Sequence, residues 1–283
     1  MSNTHVDEDQ RRRLEIAAAA RIKWWNTIER ASKPVSEALI AMAGLQDGHR
    51  VLDVATGLGE PAGMASVRVG PAGHVTAVDI NPAQIAFAKS RLTNLNCDNV
   101  ALAVADAQTL DLDERSFDAV LCRWGLMFLP DLPLALDGLR RLVRDGGRIA
   151  AAAWAASSEV PFLDVERQVL AEHLPDDYFA GDNDLTTPFR LSEPGHLQRV
   201  MSDAGLAEVR CEPVDVTHEF PSPADYTTFR RDMGRRDQIL AKHHPTEKVE
   251  EIWNAVTEAA HAFAGKDGIV RMKSTALCAV GSR

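Results

Sequence analysis

The 283-residue chain is 45% hydrophobic and 25% charged, a composition that excludes extended disorder and suits one large packed domain. Its 31 basic against 41 acidic residues leave a net charge of −10, which opposes long-range attraction to DNA or RNA and sets nucleic-acid partners aside. No apolar run reaches the ~18 residues of a membrane span, and the acidic start Met1-Ser2-Asn3-Thr4-His5-Val6-Asp7 is unlike a secretory leader. No membrane partner is expected. Cys97, Cys122, Cys211 and Cys278 form no C-x-x-C pair and read as reduced thiols, which makes the cytoplasm the expected compartment.

In chain order, residues 7–44 read as two helices broken at Pro34, the first carrying a strong helix-forming alanine run at 17–20. Arg11-Arg12-Arg13 reads as a solvated helix face. Trp24 and Trp25 diverge by about 100° around a helix, so only one of them can face a cleft. Strands and helices then alternate: strand 49–55, helix 60–69, strand 74–79, helix 82–94, strands 100–105 and 117–122, helix 132–143, strand 148–154. Pro71-Ala72-Gly73 and Asp145-Gly146-Gly147 supply turns. Nearly continuous apolar strands between amphipathic helices point to an α/β, doubly wound, mostly parallel sheet with ligands at the carboxyl ends of its strands. Beyond Trp154 come helical segments 158–173 and 193–204, a polar loop 176–190, a strand 207–220, a helical stretch 221–267 and a last strand 274–282. In that helical stretch Arg230-Arg231 and Arg235-Arg236 read as a charged face, with a break at His243-His244-Pro245.

The chemistry concentrates where the first strand ends. Val51-Leu52-Asp53-Val54-Ala55-Thr56-Gly57-Leu58-Gly59-Glu60-Pro61-Ala62 is strand, glycine turn and helix start, and Val75-Thr76-Ala77-Val78-Asp79 is a second strand ending in an acid. Gly59 to Asp79 is 79 − 59 = 20 residues, the interval at which a βαβ unit presents a carboxylate to a ribose. Gly57-x-Gly59-x-x-Ala62 also satisfies the dinucleotide fingerprint, so the glycines alone leave NAD or FAD open. A pyrophosphate needs free N–H groups and no neighbouring anion, whereas this helix start carries Glu60 and Pro61. Pro and an acid are also ordinary helix-start chemistry. Asp53, Glu60 and Asp79 together suit a cofactor with a sulfonium and an ammonium against one carboxylate, as in S-adenosylmethionine.

The segment resembles motif I of class I S-adenosylmethionine-dependent methyltransferases, within the group similar to the ubiquinone/menaquinone-biosynthesis C-methyltransferases. The match continues in order through Asp79, Ala105-Asp106-Ala107, the run from Phe117 to Asp131, and Arg144-Asp145-Gly146-Gly147-Arg148. It is strong over residues 48–155 and loose outside them. The resemblance implies a seven-stranded sheet whose last strand is antiparallel, N-terminal helices across the cofactor, and an insertion that covers the cleft and contacts the acceptor. Its implied division is a lid at 1–44, a cofactor core at 45–155, a core continuation with acceptor-side loop at 156–220, a cap at 221–267 and a last strand at 268–283. Asp79 is the implied ribose acid, and Asp106 with Ala107 the adenine contact; a cap after the strand is the alternative for Asp106. Asp53, Ala55, Thr56, Gly57, Gly59 and Ile80 complete the implied cofactor site around the turn. Ala55 stands where the family usually has its first glycine, and a negative φ is expected there.

Arg123 can pair with the methionyl carboxylate, or form an ordinary salt bridge. Trp124 and Met127, beside the expected sulfonium, join the cofactor set, and Trp24, Trp25 and Phe128 are the candidate acceptor-side residues; core packing is the alternative for all five. His173, His196, His218, His243, His244 and His261 fall in the variable region and read mostly as solvent-facing, so no catalytic base is assigned. His243-His244 lacks a third ligand at metal spacing, and no metal is expected. The reading is methyl transfer to a small, apolar or aromatic acceptor, with oligomeric state and methylated atom unassigned. An NAD-dependent oxidoreductase is the first alternative, opposed by the three acids and by the absence of a Tyr-x-x-x-Lys pair, the only tyrosines being Tyr178 and Tyr226. A non-methylating cyclase or regulator on the same fold is the second.

Overall fold

The computed structural model describes residues 8–174, 188–234 and 236–283. The acidic start at 1–7, positions 176–187 of the polar loop with Tyr178, Arg235, and the side chains of Arg11, Arg12 and Arg13 lie outside the described residues. Two helices, α1 (Glu8–Lys23) and α2 (Trp25–Ala43), precede the sheet. The break between them falls at Trp24, and Pro34 sits inside α2, against the expected break at that proline. An interior proline removes one helical N–H bond and costs ~3 kcal/mol in isolation. Here α2 buries Ala31, Val35, Leu39 and Met42 against the main core, and the carbonyl left without its partner belongs to exposed Arg30. Tertiary packing outweighs the local preference.

The sheet is built from β1 (Arg50–Val54), β2 (His74–Asp79), β3 (Val100–Val104), β4 (Phe117–Arg123), β5 (Val143–Trp154), β6 (Ala207–Phe220) and β7 (Val270–Ser282). Helices α3 (Glu60–Val69), α4 (Pro82–Asn94), α5 (Leu132–Leu142), α6 (Pro161–Ala171) and α7 (His196–Asp203) connect them. The seven strands run in the order β3-β2-β1-β4-β5-β7-β6, with β1 to β5 parallel and β7 antiparallel to both its neighbours. This is the α/β architecture expected from the alternating pattern. Strand order reverses between β1 and β4, which makes their carboxyl ends the switch-point crevice. β5 starts at Val143, before the expected 148, since Val143 already pairs with Phe117 of β4, and Gly146 N–H donates to the Arg283 carbonyl at 3.1 Å. β7 starts at Val270, ahead of 274, because β6 pairs with it out to Phe220.

Between β6 and β7 lie α8 (Pro223–Asp232), α9 (Arg236–His243) and α10 (Thr246–Ala260). They form a second core around Tyr226, Phe229, Trp253 and Met272, continuous with Phe162 of α6. Arg230 and Arg236 do not join the solvated charged face that the sequence suggested. Glu166 of α6, 1% exposed, accepts from Arg230 Nε and Arg236 Nε, each at 2.8 Å. Arg231 bonds Asp237 and Glu250. Burial alone would raise the Glu166 carboxyl, and the two guanidiniums pull it below its usual range instead. Arg230 and Arg236 turn inward because one buried acid needs them, while Arg231 pairs at the surface.

Candidate active site

Three acids and two arginines converge at the carboxyl ends of β1, β2 and β4. The glycine turn comes first. Gly57 and Gly59 take φ of +57° and +77°, and a Cβ on Gly59 would stand 3.0 Å from the Ala88 methyl of α4. Ala55 also takes a positive φ, +55°, which corrects the expectation of a negative one. A left-handed alanine costs ~1–2 kcal/mol, and its surroundings hold it there. Thr56 N–H donates to the Val78 carbonyl at 3.0 Å, and the Thr56 hydroxyl donates to Asp53 Oδ2 at 2.6 Å. The Ala55 methyl occupies room that Gly125 leaves open, since a Cβ on Gly125 would lie 2.7 Å from it. Trp124, after β4, is the counterpart of Ala55 after β1, with a φ of +57°.

Asp79 closes the turn. Its Oδ2 accepts from Gly57 N–H at 2.8 Å and its Oδ1 from Asn81 N–H at 2.9 Å. Each oxygen keeps a second lone pair, so the carboxylate can take two more donors without releasing the backbone. Ile80 follows it at the edge of the crevice, half-buried. Asp106, past β3, accepts from Gln108 N–H at 2.9 Å in a local turn with no helix after it, and Ala107 is half-buried beside it.

Arg123, at the end of β4, is bound to Glu60 of α3, and its guanidinium also donates to the Ser36 hydroxyl at 2.8 Å. The Ser36 hydroxyl in turn donates to Glu60 Oε2 at 2.8 Å. Burial pushes the Arg123 guanidinium down to about 10, with the Asp53 charge opposing that shift and Arg21 adding to it. Arg21 itself, from α1, is lowered by burial while Asp79 pulls it back up. Two arginines against Asp53, Glu60 and Asp79 give 2 − 3 = −1 when all five are ionised. Asp53 Oδ1 and Glu60 Oε1 are buried with no hydrogen-bond partner among the described residues. Buried acceptors of this kind call for a donor, and the Ala62 backbone also acts on the Asp53 carboxyl.

Residues 45–205 match the family described as a methyltransferase domain, more than half of the chain. The chain belongs to that family. The aklanonic acid methyltransferase of Streptomyces sp. strain C5 is 34% identical over 151 residues, 51% of this chain and 69% of that protein. A ubiquinone/menaquinone biosynthesis C-methyltransferase from Saccharophagus degradans is 34% identical over 111 residues, 39% of this chain and only 45% of its own length. The structure of the YcgJ protein from Bacillus subtilis shares the fold, with a TM-score of 0.58 at 18% identity over 88% of this chain and 97% of that one. The protein is a methyltransferase of the S-adenosylmethionine-dependent kind, and the NAD-dependent reading falls away.

The remaining candidates spread outward from this methyltransferase cleft. Trp24 packs edge-to-face on Phe229 of the cap, ring centroids 5.4 Å apart, and its Nε1 donates to Asp232 at 2.7 Å. Trp25 turns the other way onto Phe87 of α4, beneath Arg91. Met127 is fully buried in the main core, and Phe128 is largely exposed. Trp124 stacks on Trp154 at 4.4 Å. Arg21 and Ser36 escaped sequence reasoning; the cation immediately after the alanine run was the available signal for Arg21. Of the histidines, His244 Nε2 bonds the His173 carbonyl at 2.6 Å, while His218 is 4% exposed, against the solvent-facing expectation.

Two predictions follow from this geometry. Gly125→Ala would press a Cβ against Ala55 and the Cys122 Sγ, each 2.7 Å away, and should cost ~1–3 kcal/mol in urea unfolding. Ala55→Gly in the same chain should recover part of that loss; no recovery would show that the two methyl positions do not compete. Burial, with the Asp79 charge adding to it, raises the Asp53 carboxyl to about 7, opposed by the Thr56 hydroxyl and Arg123. A carboxyl raised from 3.8 contributes stability that is fully present below its unfolded value and is lost as pH rises through about 7. Ligand-free protein should therefore lose thermal stability between pH 5 and pH 8, by at most ~1.4 kcal/mol per pH unit, and Asp53→Asn should flatten the profile. Parallel profiles for the two proteins would remove Asp53 as the cause.

Proposed function

We propose that the protein transfers a methyl group from S-adenosylmethionine to a small, apolar or aromatic acceptor at the β1–β4 switch point. The observation that supports this best is the pair of unpartnered buried carboxylate oxygens, Asp53 Oδ1 and Glu60 Oε1, beside Asp79 at the end of β2. S-adenosylmethionine, with one ammonium, one sulfonium and one carboxylate, supplies an electrophilic methyl when bound. Asp79 would take the ribose hydroxyls on its spare lone pairs, Asp53 and Glu60 the ammonium, Arg123 or Arg21 the carboxylate, and Asp106 with Ala107 the adenine. Thr56, Gly57 and Gly59 shape the backbone around it, with Ile80 at its rim. Trp124 and Trp154 stand on the acceptor side, backed by Phe162 and the cap. Positioning of this kind contributes up to ~7–11 kcal/mol to a transfer reaction.

Among the described residues no helix is long and apolar enough to cross a membrane. The four cysteines are free thiols, which supports a reducing compartment such as the cytoplasm.

Calorimetric titration with S-adenosylhomocysteine should show saturable binding where NAD shows none. Asp79→Asn keeps the size of the side chain and removes its charge, and should weaken binding by at least ~10-fold. Incubation of cell extract with a heavy-methyl cofactor should then label a small metabolite, detected by mass. Binding of NAD alone, or cofactor binding with no labelled product under any condition, would overturn the assignment.

A further inference from the structure

Of the polar side-chain atoms buried without a partner among the described residues, three gather around one indole. They are Trp124 Nε1, His218 Nδ1 and Ser274 Oγ. The indole is Trp154, at the carboxyl end of β5. Trp124 stacks on it at 4.4 Å and 15°, and the His218 imidazole lies 6.2 Å from it. Strand register places Ser274. Trp154 pairs with Ala276 of β7, and Ser274 is two residues along β7 on the same face of the sheet. Ser274 pairs with Val216 and Met272 with His218, so Ser274 is the diagonal neighbour of His218 on that face. His218 and Ser274 are 4% and 3% exposed, and Phe162 lies flat on the imidazole at 3.4 Å.

An unsatisfied buried polar atom carries its full desolvation penalty, and several such atoms around one aromatic group call for a polar partner there. The surrounding walls are aromatic faces, which recognise planar rings. A neutral imidazole offers Nδ1 as donor or acceptor according to its tautomer, and a serine hydroxyl can play either part. A ring hydroxyl, which both donates and accepts, satisfies every combination. We infer that His218 and Ser274 form the polar end of an acceptor site for a planar aromatic or enolic compound, binding its ring hydroxyl while the ring lies against Trp154. This rests on the methyl-transfer reading and adds the acceptor's chemical class to it.

His218 acts in recognition and not as the proton acceptor of the transfer. Burial, with Arg230 behind it, holds its imidazole neutral down to about 3. The Glu166 carboxylate is already committed to Arg230 and Arg236, and Tyr226 donates its hydroxyl to the Phe162 carbonyl at 3.2 Å, so neither compensates the charge of an imidazolium.

The test uses 2-naphthol and its methoxy counterpart, 2-methoxynaphthalene, measured by equilibrium dialysis with and without S-adenosylhomocysteine. Wild-type protein should bind the naphthol at least about fivefold more tightly than the ether, since a site built to bond a hydroxyl rejects the analogue lacking its hydrogen. His218→Phe and Ser274→Ala should each reduce that preference to less than about twofold while leaving S-adenosylhomocysteine affinity within about twofold. Ser274→Ala removes a single oxygen and carries the test should His218→Phe fail to fold. Equal affinity for the two compounds in wild type, no binding of either, or a preference that survives both substitutions would overturn the inference. Failure to bind S-adenosylhomocysteine would instead count against the methyl-transfer reading, with the hydroxyl preference decided separately by the cofactor-free arm.

Discussion

The site depends on one carboxylate holding two pieces of backbone. Asp79 ends β2, and its two oxygens reach across to the N–H of Gly57 and back to the N–H of Asn81. The first bond fixes the glycine turn of the neighbouring strand, and the second shapes the approach to α4, whose first turn Asn81 then caps by accepting from Ala83 and Gln84. Charge-assisted bonds to backbone N–H groups are among the stronger contacts available to a folded chain. The acid most exposed to ligand chemistry is also a framework element. Its role in orienting the turn cannot be separated from any role in gripping a ribose.

A second constraint crosses the molecule at right angles to the first. Glu60, Arg123 and Ser36 join α3, β4 and α2 through one buried charged contact. Removing either charge would leave its partner buried and unpaired, which typically costs ~3–5 kcal/mol. The arginine that seemed open to a ligand in the sequence is thus already engaged, and its remaining nitrogens are what the cleft can use. Strain accumulates at the same place, in the left-handed Ala55 and Trp124 at the ends of adjacent strands.

Much of this was legible in the residues. The ends of α3, β2 and α4 fall at the residues indicated by their turn and cap signals, because Gly57-Leu58-Gly59-Glu60-Pro61 and Asn81-Pro82 are local instructions with few alternatives. Pro34 misled because its effect is decided by what α2 packs against, which no local window contains. Ala55 misled for a similar reason: the room for its methyl comes from Gly125, seventy residues away by 125 − 55 = 70. The partners of Arg230 and Arg236 lie on α6, so their inward turn was invisible as well. His218 was recoverable. Val214, Val216, His218 and Phe220 alternate along β6, and period-2 reading puts the histidine among the inward-facing positions.

Asp232, at the end of α8, holds both Lys23 Nζ at 2.6 Å and Trp24 Nε1 at 2.7 Å. Those two residues are the hinge between α1 and α2, and Arg21 lies one turn-step before them on the cofactor side. Trp24 meanwhile presses on Phe229, within the aromatic cluster that includes Phe162 and backs the acceptor side. A single aspartate therefore fastens the junction of α1 and α2 to α8 of the second core. A displacement of either helix pulls on the other through that one side chain, so the N-terminal helices and the second core move as a coupled pair.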